Sequence, residues 1–169
     1  LNWFIANPDY LTRVFKRGAL YLPHIVTEVQ KADLPMEFVL LPVIESAFDP
    51  FAYSSGRASG LWQFIPSTAR LYNVNIDWWY DGRRDLIDST NAATAFLLDL
   101  GQTFDEGWLR ALAAYNAGPG TVKMAMRKDR TRQRSEAFWQ LDLPRETKGY
   151  IPKLLALAAI VKRPEQYNI

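Results

Sequence analysis

Apolar residues recur along the chain at the spacing of an α-helix. In one stretch, five of them follow the i, i+3, i+4, i+7 and i+11 spacing that lines one helix face: Ala93, Phe96, Leu97, Leu100 and Phe104. No stretch shows convincing alternation of apolar and polar residues between hairpin turns, the pattern typical of paired strands. The pattern therefore predicts a mainly α fold with very little sheet.

Start and stop signals delimit the predicted helices. Asn7 before Pro8 is typical of a helix N-terminus, and Gly118 before Pro119 is typical of a C-terminus. The predicted helices span about 8–18, 23–33, 36–46, 66–72, 88–103, 108–116, 120–127 and 147–162. Pro42 is expected to kink the third helix because a proline inside a helix removes one backbone hydrogen bond.

Length and composition narrow the class of protein. The 169 residues, 49% of them hydrophobic, are expected to form a single domain over 1–169, with 1–35 as an N-terminal helical extension packed on it. There is no cysteine and His24 is the single histidine, so we expect no disulfide, metal or other cofactor. A net charge of +2 gives no argument for nucleic acid. The basic run 127–134 is interpreted as a solvated loop, with contact to an acidic partner as the alternative.

The chain contains no candidate for a membrane-spanning segment. Its longest uninterrupted apolar run is 154–161, far below the roughly 20 residues that a spanning helix needs. It starts at Leu1 with neither an initiator Met nor a signal-like region, so we interpret it as a piece of a longer chain.

Aromatic residues are abundant, with 6 Trp, 8 Tyr and 9 Phe. Several fall in stretches that are predicted to be loops, among them Trp78, Trp79 and Tyr80 in the predicted loop 73–85. Flat rings with a polar edge suit a ligand that has both apolar and hydroxyl faces, such as a sugar.

The stretch ESAFDPFAYSSGRASGLWQ, from Glu45 to Gln63, is the candidate active-site segment. Glu45 follows the apolar run MEFVLLPVI and is therefore expected at the end of a buried helix, where its pKa would be raised. Turn-forming pairs such as Asp49-Pro50 and Ser59-Gly60 predict a compact loop that folds back toward this acid. A buried glutamic acid with a raised pKa can protonate the leaving oxygen of a glycosidic bond near neutral pH. The plainer interpretation is a solvated carboxylate at a helix end.

Four motifs in order resemble the lytic transglycosylases whose catalytic domain is lysozyme-like and of the soluble-lytic-transglycosylase type, and among them the membrane-bound branch designated D. The motifs are Glu45-Ser46, Ser54 with Gly60-Leu61-Trp62-Gln63, Ala114-Tyr115-Asn116-Ala117-Gly118, and Glu146-Thr147 with Tyr150. The resemblance implies a lysozyme-like α+β domain with very little sheet.

The resemblance also implies roles for individual residues. Glu45 would be the catalytic acid and base, and six side chains would line the glycan-binding cleft: Ser54, Trp62, Gln63, Tyr115, Asn116 and Tyr150. Two positions depart from the family pattern. Trp62 stands where Met is usual and is expected to widen a stacking surface for a sugar ring. Arg57 stands where many members have Gly, which leaves the turn type and the substrate contacts of the loop open.

The residues themselves leave structural interpretations open at these positions. Tyr115 and Asn116 end an apolar helix and could cap its backbone. Gln63 could be a satisfied core amide. By pattern alone, Tyr150 belongs to the apolar face of the last helix.

The implied reaction is cleavage of the β-1,4 bond between N-acetylmuramic acid and N-acetylglucosamine in peptidoglycan without water, which leaves 1,6-anhydro ends. The partner would be the glycan strand, with no nucleic acid and no membrane span. The protein would be a monomer in the periplasm, associated with the outer membrane in its full-length form. The alternatives are a hydrolytic muramidase with Asp49 as the nearest second carboxylate, a non-catalytic glycan-binding module, and a helical interaction domain whose Trp residues form a partner surface.

Overall fold

A computed structural model describes residues 1–105, 107–131 and 137–167. Within these ranges the protein is mainly α-helical, as predicted, and its only β-structure is three isolated bridges, Tyr53 with Ser59, Ser59 with Phe64, and Ile76 with Asp81. The α-helices are α1 (Asn2–Ile5), α2 (Pro8–Gly18), α3 (Leu22–Lys31), α4 (Leu41–Ser46), α5 (Pro66–Leu71), α6 (Leu86–Thr103), α7 (Trp108–Ala117), α8 (Pro119–Thr131) and α9 (Arg145–Lys162). Short 3₁₀ helices cover Met36–Leu40, Phe138–Gln140 and Pro164–Tyr167.

Two elements differ from the sequence prediction. The expected helix over 36–46 is a 3₁₀ helix, Met36–Leu40, followed by the separate short helix α4. Pro42 lies in the first turn of α4 and does not kink a longer helix, because its missing N–H falls where no intrahelical partner is needed. Helix α8 continues to Thr131, so the first half of the basic run is helical, while 132–134 lie outside the described residues.

The chain forms two compact units, Leu1–Phe96 with Leu154–Ile169, and Leu97–Lys153. Each unit has buried apolar side chains of its own, for example Leu41, Phe48 and Leu61 in the first, and Leu97, Leu112 and Ile151 in the second. The expectation of a single domain with an N-terminal extension stays a prediction.

In the first unit, the end of α2 contacts the segment that follows Glu45. Gly18 ends α2 directly against the buried ring of Phe48, where a Cβ atom at position 18 would lie 2.5 Å from a ring carbon. Arg17 donates a hydrogen bond to the carbonyl of Ala47 at 3.1 Å. Helix α2 therefore supports the backbone just beyond the candidate catalytic acid.

In the second unit, helices α7 and α8 pack against each other across a sharp connection at Gly118. Three of the four alanines of α7, Ala111, Ala113 and Ala114, are fully buried, which allows close approach of neighbouring backbone. Gly118 has φ +85°, a conformation that favours glycine.

No helix in the described ranges has both the length and the apolar character of a membrane-spanning segment.

Candidate active site

Glu45 lies in the last turn of α4 and is half-buried. The helix ends directly behind it, because Ala47 and Phe48 both adopt left-handed backbone, with φ of 51° and 56°. Their N–H groups donate back to Val43 and Pro42 at 3.2 and 3.1 Å, which satisfies the carbonyls at the helix end. This cap, together with the fully buried Phe48 ring, fixes the backbone that carries the acid.

Ser46 connects the end of α4 to the segment predicted to fold back toward it. Its Oγ lies 2.9 Å from the carbonyl oxygen of Leu61 and 3.1 Å from that of Pro42. The hydroxyl thus bonds across 15 residues of sequence as well as within its own helix. The residue after the acid therefore positions the Gly60-Leu61-Trp62-Gln63 stretch against α4.

Ser54 and Arg57 form the tip of the loop. The N–H of Arg57 donates to the carbonyl of Ser54 at 2.9 Å, and the N–H of Ala58 donates to the Ser54 hydroxyl at 3.1 Å. Arg57 adopts left-handed backbone with φ +66°, which is the conformation for which glycine is the least strained residue. The hydroxyl of Ser54 is thus already engaged as an acceptor within its own turn.

Gly60 and Gln63 close the base of the same loop. Gly60 has φ +82°, and a Cβ atom there would lie 1.8 Å from the carbonyl oxygen of Arg83. The side-chain amide of Gln63 donates to the carbonyls of Gly60 and Ala52 at 2.8 and 3.2 Å. Its Nε2 therefore bonds to loop backbone, in line with the structural interpretation that the sequence left open.

Arg83 anchors this loop and was not singled out from the sequence. Although it is only 5% exposed, it donates to the carbonyls of Arg57 and Phe64 at 2.7 and 3.1 Å. Its Nε and Nη2 reach the two carboxylate oxygens of Asp81 at 2.8 and 2.7 Å. These hydrogen bonds from Arg83 lower the pKa of Asp81. The one sequence signal was the charged run Asp81-Gly82-Arg83-Arg84-Asp85 inside a predicted loop.

Trp62 corrects a sequence expectation. Its side chain is 1% exposed, and its indole Nε1 donates to the hydroxyl of the buried Thr90 at 3.1 Å. A ring enclosed in this way offers no face on which a sugar could stack. The expected stacking role of Trp62 is therefore wrong, because the apolar ring and its one donor are both satisfied within the core.

The remaining predicted ligands lie in the second unit. Asn116, at the end of α7, accepts a hydrogen bond on Oδ1 from the buried Thr147 hydroxyl of α9 at 2.7 Å. Tyr115, beside it, is half-buried, whereas Tyr150 is only 4% exposed. Glu45, Ser54 and Gln63 belong to the first unit. The contribution of Tyr115, Asn116 and Tyr150 to substrate binding stays a prediction.

Asp49, the nearest candidate for a second carboxylate, has a local structural role. Its Oδ1 accepts the N–H of Phe51 at 2.9 Å, the pattern by which an aspartate stabilises a turn. Among the described residues, no three His, Cys, Asp or Glu side chains are grouped as a metal site.

Comparison with solved structures first defines the class of fold. The chain matches the 70 kDa soluble lytic transglycosylase of Escherichia coli with a TM-score of 0.66 at 23% identity, over 92% of this chain and 28% of that one. It also matches an inactive glutamate-to-glutamine mutant of the lytic transglycosylase Slt from Pseudomonas aeruginosa, with a TM-score of 0.64 at 26% identity over 85% of this chain and 24% of that one. The prediction of a lysozyme-like, mainly helical fold is confirmed.

Sequence comparison then identifies the family. The model of the transglycosylase SLT domain matches residues 24–138, and the chain belongs to this family. It is 45% identical to the membrane-bound lytic murein transglycosylase D of Escherichia coli over 98% of this chain. A putative tributyltin chloride resistance protein of an Alteromonas species is 41% identical, over 92% of this chain and 77% of that protein. The chain spans 37% of the length of the Escherichia coli relative.

Proposed function

We propose that this domain is a peptidoglycan lytic transglycosylase. The proposal is supported by membership of the SLT domain family and by the names of its relatives, among them membrane-bound and soluble lytic murein transglycosylases. The substrate would be the β-1,4 bond between N-acetylmuramic acid and N-acetylglucosamine. The chain spans 37% of the length of the Escherichia coli relative. For this reason the activity of the whole relative is carried over to this chain as a proposal.

The arrangement of Glu45 carries the proposal. A single glutamic acid stands at a capped helix end, half-buried, with a loop held against that end by the Ser46 hydroxyl. Such a site fixes the backbone that carries one carboxyl group and partly shields its side chain from water, as is typical of a general acid.

In the proposed reaction Glu45 acts twice. As an acid it gives its proton to the glycosidic oxygen, the bond from C1 of the muramoyl residue to that oxygen breaks, and N-acetylglucosamine leaves with the proton. As a carboxylate it then removes the proton from the muramoyl C6 hydroxyl, whose oxygen forms a new bond to C1. The acid is regenerated and no water is consumed, so one carboxylate is sufficient where a hydrolase uses two.

The other residues have proposed supporting roles. Ser54 and Gln63 shape the loop next to Glu45 through the hydrogen bonds described above, and their oxygen atoms are proposed to face the glycan. Tyr115, Asn116 and Tyr150 are proposed to hold the sugar whose C6 hydroxyl attacks C1, which requires precise orientation.

The proposed setting is the periplasm, because murein is located there and the relatives are named for acting on it. Association with the outer membrane is proposed for the full-length protein, through parts of it outside this domain. The domain itself is proposed to act as a monomer that needs no cofactor.

Digestion of purified peptidoglycan in heavy-oxygen water tests the reaction. We expect muramoyl ends that are non-reducing, lighter by one water than hydrolytic ends, and free of the oxygen label. Label at C1 in most fragments would identify a hydrolytic muramidase and refute the transglycosylase proposal. Binding of peptidoglycan without release of any fragment would identify a glycan-binding module instead.

A further inference from the structure

The turn over residues 75–85 carries an aromatic surface that the proposed reaction does not use. Trp78 and Trp79 are each 80% exposed, and their ring centroids lie 3.6 Å apart with planes inclined by 33°. Two large rings left in solvent side by side are uncommon on a protein surface and are typical of a ligand-binding surface. We refer to these two rings as the tryptophan platform.

The platform forms part of an open pocket of about 450 Å³. Its rim has hydrogen-bonding groups of both kinds: the carboxylates of Asp77, Asp81 and Asp85, the guanidinium of Arg84 and the phenol of Tyr80. The volume falls within the range typical of sites for small ligands. None of the residues that line this pocket belongs to the segment 45–63.

The platform is held in place by its own turn. Oδ1 of Asp77 accepts the N–H groups of Trp79 and Tyr80, both at 2.8 Å, and the N–H of Asp77 donates to the carbonyl of Tyr80 at 2.9 Å. Tyr80 donates its hydroxyl to Asp88 at 2.9 Å, and this bond raises the pKa of Tyr80 to about 12. The rings are therefore presented by an ordered turn, which lowers the entropic cost of binding.

The charge of the rim restricts what can bind there. Three carboxylates and one guanidinium give it a negative formal charge, which disfavours phosphates, nucleic acids and anionic lipids. Two backbone N–H groups partly offset the negative charge of Asp77, and the guanidinium of Arg83 offsets that of Asp81. The electrostatic attraction of the rim for a cation is therefore weakened. The rim keeps its acceptor oxygens and one donor side chain, Arg84, which suits a neutral ligand with hydroxyl and amide groups.

We infer that the tryptophan platform is a saccharide subsite that binds a neutral N-acetylhexosamine unit of a glycan strand, at a sugar other than the one being cleaved. The apolar face and the acetamide methyl of the sugar would lie on the indoles, its hydroxyls would donate to the aspartates, and its amide carbonyl would accept from Arg84. The inference rests on the proposed function for the identity of the glycan.

The platform is connected to the candidate active site through consecutive residues. Arg84 lines the pocket and donates to the hydroxyl of Ser59 at 3.2 Å, while Arg83 holds the carbonyls of Arg57 and Phe64. A glycan seated on the platform thus binds to a turn that is bonded directly to the loop behind Glu45.

The test uses the indole N–H signals of the six tryptophans in a ¹⁵N-labelled Glu45→Gln protein, which keeps the catalytic acid inactive. Trp78→Phe and Trp79→Phe each remove one signal and so assign it. Titration with a soluble tetramer of N-acetylglucosamine is expected to shift the signals of Trp78 and Trp79 and to leave that of Trp139 in place. Trp139 is a matched control because it is 61% exposed and lies in the other unit.

Calorimetry of the same titration gives the magnitude. Replacing both platform rings, Trp78→Ala with Trp79→Ala, is expected to weaken binding by roughly 5-fold or more, the ratio that about 1 kcal/mol of aromatic contact represents, whereas Trp139→Ala leaves it unchanged. Unmoved platform signals at saturating saccharide would overturn the inference. So would signals that shift with an amine-bearing stem peptide and not with the saccharide.

A kinetic assay separates this inference from the proposed function. The double platform variant is made in a protein that keeps Glu45. The amount of peptidoglycan that gives half-maximal release of muropeptides is expected to rise at least about threefold, with the maximal rate unchanged. If the maximal rate falls as well, the rings lie at the reacting bond, and a separate subsite is refuted. A wild-type protein that binds the tetramer on the platform but forms no anhydro ends would refute the proposed function alone.

Discussion

At the scale of single residues, Glu45 is the position where the smallest change has the largest expected effect. Glu45→Gln preserves the shape of the side chain and removes its proton-transferring group. We expect the variant to release muropeptides at least about 10²-fold more slowly than the wild type, the loss typical of a missing general acid or base, with an unchanged melting temperature. Peptidoglycan lysis at the wild-type rate would show that the carboxyl group is not the acid.

Trp62 is expected to matter for stability. Trp62→Ala removes a fully buried indole, which in protein cores costs about 3–5 kcal/mol, so the melting temperature should fall steeply. Trp62→Phe keeps much of the packing and loses the bond to Thr90, so its melting temperature should fall clearly less. Calorimetric unfolding of the two variants checks this. A Trp62→Ala protein as stable as the wild type but weak in glycan binding would restore the sugar-stacking interpretation.

The residues of the site differ in how far the sequence could reveal them. Glu45 could be predicted at a helix end because an apolar run stops there. The burial of Trp62 could not, since its partner Thr90 lies 28 residues away in sequence. Arg83 was missed for a similar reason: an arginine in a charged run is usually solvated, and only the folded loop places backbone carbonyls around its guanidinium.

At the scale of elements, the loop 52–64 depends on glycine at position 60. Gly60→Ala forces a Cβ atom into the carbonyl of Arg83 and adds the strain of left-handed backbone, about 1–2 kcal/mol by itself. We expect a marked loss of both stability and lytic activity. Gly149→Ala is the matched control, because it lies inside α9 with nothing within 4 Å of its Cβ position. It should raise stability by roughly 0.5–1 kcal/mol. Equal melting temperatures for the two variants would contradict the contact at Gly60.

The turn that carries the tryptophan platform is expected to respond to acid. The N–H groups of Tyr80 and Trp79 lower the pKa of Asp77 in the folded protein. Because the pKa is lowered by folding, the carboxylate supports the turn fully at a pH above the pKa of Asp in the unfolded chain, about 3.9. This support is lost as the pH falls through the lower folded value. The indole signal of Trp79 should therefore stay constant from neutral pH to about pH 4 and change below it.

Asp77→Asn is the control for this titration, because the amide oxygen can still accept both N–H groups and does not ionise. The part of the change that comes from Asp77 should be absent in the variant. If the Trp79 signal titrates identically in the wild type and in Asp77→Asn, the acid response comes from other groups. Asp81, whose pKa is also lowered, would then be the next candidate.

Helices were easier to predict than the elements between them. The start of α2 at Pro8 and the end of α7 before Gly118 follow from local signals, as does the short helix α5. The division of 36–46 into two helices does not, because Pro42 is compatible with either a kink or a first turn. The cap formed by Ala47 and Phe48 has no local signal at all, since neither residue favours left-handed backbone.

At the scale of the whole chain, the first 20 residues are expected to affect catalysis although they lie far from Glu45 in sequence. Gly18→Val would press a side chain into the ring of Phe48 and strain the backbone behind Glu45. Overpacking of this kind typically costs about 1–3 kcal/mol, and we expect a lower melting temperature together with reduced lysis. Gly120→Val, at a position with nothing within 4 Å, serves as the control. Wild-type activity in Gly18→Val would show that α2 is only an appendage to the site.

The left-handed residues also have a consequence for protein engineering. Seven non-glycine residues in the described ranges have positive φ. Four of them lie within one 17-residue stretch: Ala47, Phe48, Arg57 and Gln63. A search for thermostable variants would therefore be expected to find glycine at position 47 or 57 early, because each such residue costs about 1–2 kcal/mol relative to relaxed backbone. Selection for heat resistance alone would then relax the geometry around Glu45, so heat-stable variants of this domain should be screened for turnover at every round.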